Sequence, residues 1–135
     1  VTLTDTGPLV ALVDADDDSH SACVSVLPRL ARPLLTTWPC FTEAMYLVGS
    51  LGGFPAQDEL WGYLEDGLVE IRESYPTERR RMRVLMRQYR DTPMDLADAS
   101  LVVTAEVLGV TRIFTIDTDF RVYRIHRKTP FEIVP

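Results

Sequence analysis

Apolar and polar residues follow two different periods along this chain. Short β-prone runs occupy residues 1–4, 34–37, 68–71 and 112–116, with two more at 122–125 and 131–134. Between them lie stretches with helical spacing at 9–13, 19–27, 38–51 and 56–65, then a segment opened by Pro76-Thr77, then 95–108. Thr6 is placed to cap the first helix, and Pro8 suits its first turn. Pro28 and Pro33 limit the second. Gly52-Gly53 reads as a stop between the third and the fourth. Strands alternating with helices predict an α/β fold in three layers, α/β/α, with a mainly parallel central sheet.

The segment 95–108 organises the rest. Asp95 is a good N-cap, Asp98 follows three residues later in the first turn, and Gly109 is placed to end the helix. Beyond Asp98 the residues are apolar on nearly every side, so the helix is expected to be buried. Asp98 then shares a face with Leu101, Val102, Ala105 and Leu108. Helix starts favour acids, which is one reason for Asp98. A carboxylate heading a buried apolar face otherwise needs a cation beside it.

Two strands end in acids, Asp5 after 1–4 and Asp117 after 112–116, with Asp119 close behind. In an open parallel sheet, ligands sit outside the carboxyl ends of the strands. The helix begun at Asp98 leads directly into the Asp117 strand, so its N-terminus belongs on the same edge. Three carboxylates on one rim repel one another unless a cation joins them. Oxygen-only donors of this kind suit Mg²⁺ or Mn²⁺.

Composition bounds the reading. The 135 residues fit one domain, 1–135, and 46% hydrophobic with 25% charged residues is an ordinary globular balance. The formal charge of -6 argues against simple electrostatic binding of nucleic acid, unless basic residues are segregated or metals screen the acids. Segregation is present: Arg79, Arg80, Arg81, Arg83, Arg87 and Arg90 are six of the fourteen Lys and Arg residues. Met82, Leu85, Met86 and Tyr89 form that helix's apolar stripe. Its arginines are either a solvated face paired with acidic helices or a phosphate-contacting face. Cys23 and Cys40 are too widely spaced for a metal or redox motif and are expected as buried, reduced thiols. No apolar run reaches the about 20 residues of a membrane span, and no basic-then-apolar leader opens the chain, so a cytoplasmic protein is expected. His20 and the loop His126-Arg127-Lys128 read as solvated surface.

Taken together, Leu3-Thr4-Asp5-Thr6-Gly7-Pro8-Leu9, Thr42-Glu43-Ala44, Leu96-Ala97-Asp98-Ala99-Ser100-Leu101 and Thr115-Ile116-Asp117-Thr118-Asp119-Phe120 resemble the PIN-domain signature, in order and across essentially the whole chain. The chain looks most like the VapC-type toxins of bacterial toxin–antitoxin pairs. That resemblance implies a Mg²⁺- or Mn²⁺-dependent endoribonuclease with an acidic quartet of Asp5, Glu43, Asp98 and Asp117. The metal set would be Asp5, Asp98 and Asp117, with Asp119 as an auxiliary ligand. Asp117 and Asp119 both fit the final acid, and Asp95 is either a cap or an outer group. Thr6 matches the hydroxyl residue that supports the first Asp. Arg79, Arg80, Arg83 and Arg87 are the candidate contacts to the RNA backbone. The resemblance also implies a cognate antitoxin that puts a basic side chain among the acids, and a homodimer.

Rival readings keep a place. A PIN-like nuclease of RNA processing would use the same site. A phosphatase or phospho-acceptor domain would use Asp5 or Asp117, but its helper lysine could only be Lys128, the sole lysine. A PIN-like fold kept as an RNA- or protein-binding module would bind no divalent metal.

Overall fold

A computed structural model describes residues 1–135. Five strands form the main sheet: β1 (Thr2–Thr4), β2 (Leu34–Thr37), β3 (Val69–Arg72), β4 (Arg112–Phe114) and β7 (Glu132–Val134). Their order is β3-β2-β1-β4-β7, and every pairing is parallel. The helices are α1 (Thr6–Val13), α2 (His20–Val26), α3 (Trp38–Glu65), α4 (Pro76–Gln88) and α5 (Leu96–Leu108). None is long and apolar enough to cross a membrane.

Alternation along the strands splits the core in two. Leu3, Leu35 and Ile113 face the layer of α4 and α5, where Leu85, Leu101 and Val102 are buried. Leu34, Val69 and Phe114 face α1 to α3, where Leu9, Phe41 and Val48 are buried. The three-layer expectation therefore holds. From β1 the chain builds outward through β2 and β3 on one side, then returns to build β4 and β7 on the other. The order reverses between β1 and β4, which opens a crevice at their carboxyl ends.

The stop predicted at Gly52-Gly53 is present: Gly53 adopts φ 67° and ψ -158°, and α3 is two helical segments that meet across that kink. Glycine takes that conformation without a Cβ clash, and Pro55 then lacks an N–H just where the second half starts and needs none. Several local expectations change. The cap of α1 is Asp5 rather than Thr6. Residues 122–125 do not form a sheet strand. Only β5 (Arg124–Ile125) is extended, and it pairs antiparallel with β6 (Thr129–Pro130) in a separate ribbon. Leu108 is exposed at the end of α5, so the buried face that Asp98 heads stops short of it. Cys23 and Cys40 are buried free thiols, as expected.

Candidate metal centre

Asp5 directly follows β1, and its position is fixed from two sides. Its Oδ1 accepts the Thr6 N–H at 2.8 Å, which caps α1, and its Oδ2 accepts the Thr115 hydroxyl at 2.8 Å. The same Thr115 Oγ1 accepts the Asp117 N–H at 3.0 Å. One hydroxyl thus joins the ends of the two strands that flank the crevice. Asp117 in turn caps a 3-10 turn (Thr118–Arg121), its Oδ1 accepting the Asp119 N–H at 2.9 Å. Asp98 enters from the opposite layer, in the first turn of α5. Asp95 caps that helix by accepting the Asp98 N–H at 2.8 Å. Asp98 Oδ2 accepts the hydroxyl of Tyr123 at 2.7 Å.

Asp5, Asp98 and Asp117 each offer a carboxylate oxygen, and these oxygens lie within 4.8 Å of one another. None of the three carboxylates forms an ion pair with Arg, Lys or His. Burial is the main cause that pushes Asp98 up to about 7, helped by the negative charges of Asp95, Asp5 and Asp117 and opposed by Tyr123. Burial likewise pushes Asp5 up to about 6, opposed by the bonds from Thr115 and Thr6. Asp119 is raised by desolvation and by Asp117. Cys40 lies behind Asp5, with Sγ 4.0 Å from Oδ1, and burial pushes its thiol up to about 12. Its sulfur is not one of the converging ligand atoms. What remains is a set of hard oxygen donors carrying uncompensated charge, which fits Mg²⁺ or Mn²⁺ and not a thiolate-seeking ion.

The other sequence candidates fall around this triad. Glu43 is exposed on α3 and outside the cluster of three, yet Thr6 Oγ1 donates to its Oε2 at 3.2 Å. Thr6 therefore tethers Glu43 one residue away from Asp5. Glu43 and Asp95 line one shallow depression beside the acids. Asp119 is attached through the Asp117 carboxylate and is not one of the three. The arginines of α4 separate by direction. Arg81 makes a two-pronged contact with Glu106 at 2.8 and 3.0 Å. Arg79 and Arg83 line a cavity against α5, and Arg80 and Arg87 are exposed elsewhere on the helix.

Two groups escaped the sequence reading. Thr115 had an available signal, a hydroxyl two residues before the strand-end acid. Tyr123 had none, since it is 25 residues from Asp98 in a segment that reads as a strand.

A parallel sheet with a buried carboxylate cluster at its switch point defines an acid-site α/β protein, and the sequence pattern narrows the class. The PIN-domain family model matches residues 2–125, so the chain belongs to the PIN-domain family. Among curated proteins it is similar to Ribonuclease VapC26 of Mycobacterium tuberculosis, with 27% identity over 115 residues, covering 85% of each chain. In fold it is similar to the crystal structure of Mycobacterium tuberculosis VapC20, described as a sarcin–ricin loop cleaving toxin. That match has a TM-score of 0.83 at 15% identity and covers 90% of this chain and 94% of the other.

Proposed function

We propose that this protein is a divalent-cation-dependent endoribonuclease and the toxin of a toxin–antitoxin pair. The observation that carries the reading is the cluster of Asp5, Asp98 and Asp117, three converging carboxylates with no cationic side chain beside them. Membership of the PIN family and the likeness to a VapC ribonuclease support it.

In this reading Asp5, Asp98 and Asp117 hold the cation, with Asp119 in reserve on the turn behind Asp117. Bound there, Mg²⁺ or Mn²⁺ would activate a water and withdraw charge from the scissile phosphate. Thr115 and Tyr123 hold the Asp5 and Asp98 carboxylates in place through their hydroxyl protons. Glu43, steadied by Thr6, stands at the solvent rim, where it orients the attacking water and accepts its proton. The phosphodiester is hydrolysed without a covalent enzyme intermediate. Arg79 and Arg83, which line the cavity beside α5, offset the negative charge of the chain along the RNA path, while Arg80 and Arg87 are exposed elsewhere on α4.

The uncompensated cluster also explains how an antitoxin would inhibit: an Arg or Lys side chain placed among the acids would take the cation's position. Tyr46, Leu51 and Phe54 are exposed along α3, an apolar surface that supports a protein partner, whether antitoxin or second copy. Such a toxin would act in the cytoplasm.

The deciding experiment is cleavage of a mixed RNA pool by the purified chain in Mg²⁺, Mn²⁺ or EDTA, beside Asp98→Asn. Cleavage that needs the cation and disappears in the variant is expected. Equal cleavage in EDTA, or by the variant, overturns the reading.

A further inference from the structure

A cavity of about 520 Å³ lies between α4, α5 and the start of α3. That size suits a small ligand. Met82 and Met86 supply apolar wall, and Thr37, Ser100 and Thr104 supply hydroxyls. Trp38, Pro39 and Leu96 belong both to this cavity and to the depression that holds Glu43 and Asp95. The cavity therefore adjoins the depression beside the acid cluster.

Three observations specify its occupant. Arg79 and Arg83, one turn apart, line it, and neither is in an ion pair. Arg72 also lines it but is held by Glu78 at 2.6 Å. Two unpaired guanidinium groups suit phosphate. Secondly, Trp38 is fixed, with its indole N–H donating to Glu73 at 2.8 Å and its ring edge-on to Phe41. It is nonetheless 43% exposed. A fixed, exposed indole is a stacking platform for a base.

The third observation is the direction of the hydroxyl protons. Ser100 Oγ donates to the Ala97 carbonyl at 2.6 Å, so the 2.6 Å contact between Thr37 and Ser100 uses the Thr37 proton. Thr104 donates to the Ser100 carbonyl at 2.8 Å. Both threonine oxygens keep lone pairs and have no free proton. They suit an amino group and not a carbonyl.

Resting on the ribonuclease reading above, we propose that this cavity receives the base of an unpaired ribonucleotide beside the scissile phosphate. The base carries an exocyclic amino group that meets Thr37 and Thr104, its face lies on Trp38, and the flanking phosphates lie along Arg79 and Arg83.

The test uses fluorescein-labelled oligoadenylate, oligocytidylate and oligouridylate hexamers. Their binding to the full chain carrying Asp98→Asn, which leaves the RNA intact, is followed by anisotropy. The adenine and cytosine hexamers should bind about tenfold more tightly than the uracil hexamer. Thr104→Leu, which fills the cavity, should abolish that preference. Arg79→Ala with Arg83→Ala should weaken all three hexamers while keeping their order. If Thr104→Leu loses its melting transition, Leu96→Trp at the exposed mouth replaces it. Equal binding of the three hexamers, or a preference that survives the filled cavity, overturns the proposal and leaves the cavity to a protein side chain. Cleavage of an RNA pool by the chain without Asp98→Asn, in Mg²⁺, reports separately. Cleavage without base preference in binding sinks the subsite alone, whereas no cleavage sinks the ribonuclease reading and the subsite with it.

Discussion

Asp5, Asp98 and Glu78 are each 6% exposed, and the side chain of Glu106 is 6% exposed too. Burial opposes the charge of all four, yet the outcomes are opposite. Asp5 and Asp98 are pushed up to about 6 and about 7. Glu78 is lowered because the Arg72 guanidinium and the Tyr75 N–H outweigh its desolvation, and Glu106 is lowered in the same way by Arg81 and the His126 N–H. The two glutamates tie α4 and α5 into the structure with partners supplied by the chain itself. The two aspartates have hydrogen-bond donors but no countercharge. A buried acid with its own arginine is part of the scaffold. A buried acid without one carries an uncompensated charge, and that difference separates the acid cluster from the framework better than burial does.

The sharpest way to break this comparison is to remove one acid from each region. Asp98→Asn should lower RNA cleavage by on the order of a thousandfold and leave the fold intact. Initial rates and a thermal melt on the same preparation check this. Undiminished cleavage would mean that Asp98 belongs with the scaffold acids.

The next effect is on stability against pH. For Asp5 and Asp98 the folded value lies above the unfolded value of 3.8, so the folded state binds the proton more tightly. The stability they contribute is present below about pH 4 and is lost as the pH rises through about 6 to 7. Without a divalent cation the protein should therefore lose on the order of 3 kcal/mol between pH 5 and pH 8, and Mg²⁺ or Mn²⁺ should restore much of it. Urea unfolding at the two pH values, with EDTA or with cation, measures this. A flat profile in EDTA would mean that the cluster is not strained. Glu78 and Glu106 have the opposite sign: their contribution holds above the unfolded value and falls away only as the pH drops below it.

Glu106→Gln should cost about 2 kcal/mol, since it leaves the partly buried Arg81 without its countercharge, and should leave cleavage within about twofold. A large loss of activity with intact stability would place Glu106 in the site. The smallest change is Tyr123→Phe. It removes the hydrogen bond that favours ionised Asp98, so the acid limb of the pH–rate profile should move to higher pH, with about 1 kcal/mol of stability lost. An unmoved profile would reduce Tyr123 to core packing.

Much of this is legible in the sequence. Strand-end acids and a helix-start acid point to one edge of a parallel sheet, because connection rules alone bring Asp5, Asp98 and Asp117 there. What was not legible depends on direction rather than position. The arginines of α4 read as one face, yet Arg81 turns to Glu106 while Arg79 and Arg83, both exposed, line the cavity, and only the packing of α4 on α5 decides which does which. Glu43 stands outside the three converging carboxylates, and its link to Asp5 runs through Thr6, a contact 37 residues apart in sequence. Gly52-Gly53 reads as a break because glycine ends helices. Gly53 does leave helical geometry there, before a second helical segment begins. The contact from Tyr123 to Asp98 has no local signature at all.

Every residue of α5 from Ala97 to Ala105 is buried, Asp98 among them. Local opening of such a helix would expose its whole apolar circumference, so its backbone should open only when the entire molecule does. Amide hydrogens along α5 should then be among the last to exchange with solvent, at the rate of global unfolding.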